Sequence, residues 1–213
     1  VHDKYPNFPI IHTEGCIDDL GNDAPDGIQD PIRFKESGWF DNDAFWWNEN
    51  ATDWGYSANW DSVNADDHPI YTPVHRYARH IITGMNHWVS GWIDWNIVLD
   101  KRGGPNHVGN YCGAPIMIDT DTGYVYYTPI FSILSQFSRT IRPGDVVVET
   151  SLDIKPELDN VLISSASISA GKKLSVQVFN SGKQAIDYAL QIGNQFAQIA
   201  IPANALQTIV IQL

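Results

Sequence analysis

Glu14 closes a short apolar run, Phe8-Pro9-Ile10-Ile11-His12-Thr13, and opens a segment rich in Asp, Asn, Gly and Trp. A carboxylate at a strand end stands on a stiff support beside a loop, as a nucleophile must to meet carbon in a fixed orientation. Retaining glycoside hydrolysis uses such a group. One carboxylate attacks the anomeric carbon, and a second, about 5–5.5 Å away, protonates the leaving oxygen. Position alone does not select that chemistry, because charged residues at loop starts are commonly solvated or capping.

A second strand adds sugar-compatible groups. In Gly91-Trp92-Ile93-Asp94-Trp95-Asn96 the period of two puts Trp92, Asp94 and Asn96 on one face and Ile93, Trp95 and Ile97 on the other. Indole faces suit the C–H face of a sugar ring, and Asp or Asn can bond its hydroxyls. A single Trp is commonly core packing. Trp interleaved with Asp and Asn is harder to read as plain core, because buried polar groups need partners.

The elements that must hold these residues alternate. The first strand ends at Glu14. Val74, Ala78, Ile81, Ile82, Met85 and Val89 recur at helical spacing, and a second strand spans 92–98. The loop Arg102-Gly103-Gly104-Pro105-Asn106 follows, then a hairpin pairing 116–119 with 124–127. A short helix over 129–137 has Ile130, Phe131, Ile133, Leu134 and Phe137 as its apolar face. Strand–helix alternation predicts parallel βαβ units. Beyond a hinge near Ile141-Arg142-Pro143-Gly144 the pattern changes to alternating β runs over 160–167, 173–180, 185–192, 195–201 and 207–213. Gly and Pro punctuate them, predicting an antiparallel sheet or sandwich. A (β/α)₈ barrel takes eight strands and about 250 residues. Two strand–helix units leave unpaired edges. The remainder of the sheet is therefore expected from elsewhere, in the same chain or another.

All eight Trp lie at or before Trp95, and the formal charge of −12 belongs to residues 1–150. After residue 150 Asp153, Glu157, Asp159 and Asp187 balance Lys155, Lys172, Lys173 and Lys183. No basic patch of the kind nucleic acid requires is visible, so no nucleic-acid partner is expected. No apolar run reaches the about eighteen residues of a membrane span, and the N-terminal residues do not read as a signal peptide. The sequon Asn50-Ala51-Thr52 permits glycosylation in a secretory setting. Cys16 and Cys112 do not make a disulfide framework, and free thiols are the preferred reading. His75, His80 and His87 are read on one helix, where only His80 and His87 share a face and no acidic partner stands at ligand spacing. No metal or cofactor is expected.

His12-Thr13-Glu14-Gly15-Cys16 resembles the nucleophile strand of glycoside hydrolase family 30, the glucosylceramidase family. Ile81-Ile82-Thr83, then Gly91-Trp92-Ile93-Asp94-Trp95-Asn96-Ile97-Val98-Leu99-Asp100 and Gly103-Gly104-Pro105-Asn106, resemble its seventh helix, eighth strand and following loop. Tyr126-Tyr127-Thr128-Pro129-Ile130-Phe131 and Phe137-Ser138-Arg139-Thr140-Ile141-Arg142-Pro143-Gly144 resemble its last barrel helix and the exit to its side domain. Several ordered motifs weigh more than one short pattern. The resemblance implies an α/β fold: strands 7 and 8 of a (β/α)₈ barrel over 1–142, with a long inserted loop over about 17–67, then an all-β sandwich over 143–213. It implies Glu14 as nucleophile, Trp95 as ring platform, Asp94 as a hydroxyl-binding or supporting acid and Asn106 at the cleft mouth. Trp92 joins them as a substrate-binding candidate, and the compartment implied is secreted or lysosomal.

The family's acid/base Glu, carried by an Asn-Glu-Pro-like motif on the fourth strand, has no counterpart. Asn48-Glu49-Asn50 follows Glu14 and does not end an apolar strand. Without a general acid a loss of typically about 10²–10⁴-fold is expected, so this chain alone is expected to be inactive. Trp39, Phe40, Phe45, Trp46, Trp47, Trp54 and Trp60 in the loop fit either added sugar subsites or a local core. The leading expectation is a retaining β-glycosidase acting on a carbohydrate or glycolipid such as glucosylceramide, completed by the N-terminal half of the barrel. An endo-β-1,6-glucanase, a xylan-directed enzyme or a non-catalytic carbohydrate-binding module are the alternatives.

Overall fold

The computed structural model describes residues 1–15, 71–100, 104–105, 114–118, 120–121, 123, 125–159, 161–170 and 172–213, with the side chains of 71–76 and Tyr126 set aside. The loop aromatics, the sequon, Asn48-Glu49-Asn50, Cys16, Cys112 and Asn106 lie outside the described residues, as does the side chain of His75.

Helix α1, Tyr71–Asn86, follows from the helical spacing, and it buries Tyr77, Ala78, Ile81 and Ile82. It stops where Trp88 turns to a φ of 69°, in the left-handed region. The Trp88 ring there stacks on His2 at 3.9 Å. Val89 accordingly belongs to the next strand, not to the helix. His87 also falls past the helix end, where its Nδ1 donates to the Thr83 carbonyl at 2.7 Å.

Strands β1, Ile10–Gly15, and β2, Val89–Asp94, form a two-stranded sheet. Gly91 faces Ile11, and Trp95 N donates to Gly15 O at 2.6 Å, so the same offset of eighty residues holds at both ends. An unchanged offset along both strands means that they run parallel. The predicted strand over 92–98 is two strands. β2 ends at Asp94, and β3, Val98–Asp100, pairs in parallel with β4, Ile116–Ile118. The chain changes hydrogen-bond partner between them, since Ile97 O already accepts from Ile116 N. β4 and β5, Val125–Tyr127, form the expected antiparallel hairpin. Helix α2, Pro129–Thr140, follows, with Ile130, Ile133 and Phe137 buried.

The tail has the predicted strands and one more. β6, Val146–Val148, β7, Leu162–Ser169, β8, Lys173–Asn180, and β11, Ala205–Gln212, form an antiparallel sheet in the order β11-β8-β7-β6. β9, Ile186–Ile192, and β10, Gln195–Ile201, make a separate hairpin. Its turn places Gly193 at a φ of 57°, where a side chain would be strained. Alternation sends Leu162, Ala166, Leu174, Val176 and Val178 to one face, packed against Ile186, Tyr188, Leu190 and Ile201 of the hairpin. The opposite face is buried too, and it mixes Phe179 with the polar residues Ser165, Ser167, Ser175 and Gln177. It meets the C-terminal ends of both helices: Asn86 Nδ2 donates to Ser164 O at 2.8 Å, and Gln177 Nε2 to Thr140 Oγ1 at 3.2 Å.

Two compact units result. One holds residues 1–10, 78–90 and 135–213, and the other 11–77 and 91–134. No described helix is long and apolar enough to cross a membrane.

Leu162 is 2% exposed in the tail core, whereas Phe196 is 71% exposed. Leu162→Ala is expected to cost about 2–5 kcal/mol, and Phe196→Ala no more than about 0.5 kcal/mol. Urea unfolding followed by circular dichroism checks both.

Candidate active site

β1 ends irregularly. Ile10 and His12 are partly buried, Ile11 and Thr13 exposed, as a strand with one covered face requires. Glu14 is then exposed as well, and Gly15 is buried. His12 stacks on the Trp92 indole at 3.9 Å and within 5° of parallel. A Cβ built on Gly15 would lie 2.9 Å from the same indole and 2.3 Å from Asp94 Oδ1. His12 and Gly15 are three residues apart and face the same side, so the alternation slips by one between them, as strand-end twist or a bulge allows. The slip turns Glu14 away from Trp92 and onto the open side of the sheet. Ile93, Trp95 and Ile97 occupy that side, with Trp95 41% exposed. The bond from Trp95 N to Gly15 O fixes the two backbones beside each other.

The covered side holds a polar cluster. Tyr77, 5% exposed on α1, donates its hydroxyl to Asp94 Oδ1 at 2.8 Å, and its ring lies 5.7 Å from that of Trp92. Trp92 Nε1 and His12 Nδ1 are buried, and neither has a hydrogen-bond partner among the described residues. Burial raises the Asp94 pKa above the ordinary carboxylate value. The Tyr77 hydroxyl, the nearby Trp92 indole N–H and the charge of His12 pull it back without cancelling the rise. The indole N–H acts there as an oriented dipole, because it does not reach hydrogen-bond geometry.

Of the residues singled out in the sequence, Glu14, Asp94 and Trp95 therefore come together at the ends of β1 and β2. Trp92 is present with one indole face occupied by His12. At the start of the Gly-rich loop, Gly104 N donates to Asp100 Oδ1 at 2.8 Å, and Asp100 N to Gly104 O at 2.8 Å. No three His, Cys, Asp or Glu side chains cluster as metal ligands among the described residues. Of the other contributors, His12 and Gly15 lie in the run quoted around Glu14 without a role assigned to them, and Tyr77 carries no motif of its own. Tyr77 lies three residues after Val74 and four before Ile81, on the apolar face of the helix, and only its hydroxyl hints at a buried partner.

The raised Asp94 pKa has a sign. Native Asp94 keeps its proton to higher pH than the unfolded residue, so its contribution favours folding at acid pH. That contribution is lost as pH rises from the unfolded carboxylate range through the native value. Asp94→Asn cannot titrate. The stability of the wild type relative to Asp94→Asn is therefore expected to fall as pH rises above the unfolded carboxylate range of about 3.9, read as the difference in thermal midpoint. A flat difference would contradict it.

A family model described as the glycosyl hydrolase family 30 TIM-barrel domain matches residues 42–141. The match opens inside the segment read as an inserted loop and does not extend to Glu14. A Caenorhabditis elegans relative carrying the name glucosylceramidase 4 is 33% identical over 159 residues, 72% of this chain and 23% of that protein. The lysosomal acid glucosylceramidase of Mus musculus is 35% identical over 88 residues, 41% of this chain and 17% of that protein. The chain thus spans less than a quarter of either. The crystal structure of SrfJ from Salmonella typhimurium shares the fold over 100% of this chain and 37% of its own, with a TM-score of 0.70 at 20% identity. The motif order along the chain and these matches agree, and the chain belongs to glycosyl hydrolase family 30 as a glucosylceramidase-like member.

Proposed function

We propose that this chain carries the nucleophile of a retaining β-glycosidase, with Glu14 forming the covalent glycosyl-enzyme and β-glucosides such as glucosylceramide as substrates. The observation that carries the reading is the slip at the end of β1, which turns Glu14 to the side of Trp95. A carboxylate oxygen of Glu14 attacks the anomeric carbon as the bond to the leaving oxygen breaks. A second carboxylic acid protonates that oxygen, then as a base draws a proton from the water that releases the sugar. That second residue lies outside this chain. Trp95 offers its indole face to the ring. Asp94 acts as a supporting acid, because its carboxylate is held by Tyr77 on the covered side. The names of the curated relatives support glucosylceramide within the family.

The same reading makes β1 and β2 the seventh and eighth strands of a (β/α)₈ barrel, with the β-rich tail its sandwich side domain. Ile11, Ile93 and Ile97 are 48%, 54% and 71% exposed on the open face. Branched apolar side chains fill a barrel interior, and the other six strands would cover them. The N-terminal half of the barrel, in the same or a separate chain, is the partner this requires.

In the protein with its barrel complete, Glu14→Gln is expected to lower turnover of a β-glucoside by about 10³-fold or more while leaving sugar binding largely intact. A 2-deoxy-2-fluoro-glucoside is expected to add one glycosyl group to the wild-type peptide that contains Glu14. Retention of turnover by the variant, or labelling elsewhere, would overturn the assignment. A non-catalytic carbohydrate-binding module would bind sugar with no turnover to lose. The 213-residue chain by itself is expected to show no turnover of glucosylceramide, β-1,6-glucan or xylan, since it supplies one carboxylate of two.

A further inference from the structure

We propose that Tyr77 is a positioning residue for the Glu14 nucleophile: it seats Asp94 against the Cα of Gly15 and so sets which way the end of β1 is turned. The inference rests on Glu14 being the nucleophile. Asp94 Oδ1 lies 2.3 Å from where a Gly15 Cβ would stand, so the carboxylate occupies the space of the absent side chain. Tyr77 holds that oxygen at 2.8 Å from a helix anchored by buried apolar residues. A carboxylate without that bond can rotate about its χ angles and leave Gly15, releasing the contact that keeps the strand end slipped. Two chain neighbours transmit the effect. Glu14 immediately precedes Gly15, and Trp95 immediately follows Asp94, with its N–H on the Gly15 carbonyl. The hydroxyl of Tyr77 thereby governs the relation between nucleophile and ring platform without touching substrate.

Nucleophilic attack is sensitive to misplacement of about 1 Å, whereas binding along a sugar ring is spread over many contacts. Loss of the hydroxyl should therefore act on kcat more than on KM. The test uses the protein with its barrel complete and compares Tyr77→Phe and Gly15→Ala. Tyr77→Phe keeps the ring beside Trp92 and is expected to lower kcat about 10-fold with KM within about 2-fold. The rate of covalent trapping by the fluoro-glucoside should fall in parallel. Gly15→Ala places a methyl against Asp94 and should reproduce the Tyr77→Phe loss or exceed it. Trapped protein counts the folded sites, so a loss of folded molecules does not register as a loss of kcat.

Wild-type kcat in Tyr77→Phe would overturn the proposal. So would a raised KM at unchanged kcat, which would make the Tyr77–Asp94 pair part of substrate binding. Ile82→Ala, a core variant of the same helix, serves as a control. An equal fall in kcat per trapped site there would reduce Tyr77 to a structural residue, and that also overturns the proposal. If Glu14→Gln retains turnover, the nucleophile assignment itself has failed. If Glu14→Gln is inactive and Tyr77→Phe is unimpaired, only the positioning role has.

Discussion

β1 and β2 approach so closely at Gly15 that no side chain fits there, and the site residues of β1 and β2 are arranged around that contact. Asp94 Oδ1 and the Trp92 indole occupy the space a Cβ would take. Three consequences follow from one missing carbon atom. Gly15 turns to the covered side, Glu14 to the open side, and the Gly15 carbonyl meets the Trp95 amide. Gly in a strand interior ordinarily weakens the strand, but it is used where another group must come close. Here the approaching group is a carboxylate, which needs a donor of its own because it is partly buried. Tyr77 supplies one.

The tail solves a different problem with the same period of two. Its apolar face needs only shape, so Leu, Val and Ile from β7 and β8 suffice against the hairpin. Its other face meets helix ends, where unpaired carbonyls must find donors. Small polar residues fit that duty: Ser175 Oγ donates to Thr140 O at 3.0 Å, and Gln136 bridges to β11 through Leu206 O and Thr208 Oγ1. Buried polar faces of this kind cost stability if a partner is lost. They also define which helix end meets which strand more narrowly than apolar packing does.

Much of this was legible in the sequence, and the failures share a cause. The helical period marked α1 and α2, and the tail strands fell within a few residues of their observed bounds, because one-sided burial writes itself into alternation. The strand predicted over 92–98 is broken, although the alternation of burial runs on through Asn96 and Ile97. Periodicity reports which side is covered, not which strand is the partner, and the partner changes from β1 to β4. β6 was missed because three residues carry too little pattern. Glu14 itself was found as a strand-end carboxylate, but strict alternation would have placed it beside His12, facing Trp92. Only the contact at Gly15 shows that it does not.

The slip also bears on why the two carboxylates of such an enzyme can come from distant strands. Retaining hydrolysis fixes the separation of the two carboxyl groups at about 5–5.5 Å, a tolerance tighter than the spacing of neighbouring side chains along a strand. A barrel sets the coarse positions of strand ends, but not the direction of each end residue. In the proposed assignment that last adjustment is local: a glycine, the carboxylate seated on it and the helix hydroxyl that holds the carboxylate. The covered side of the sheet then does work the open side cannot. A residue lining the cleft would have to serve both substrate and geometry, whereas Tyr77 is 5% exposed and free of that conflict. In that assignment the barrel alone can position the acid/base strand only if its partner does not drift, and the proposed role of the cluster behind Glu14 is to prevent that drift.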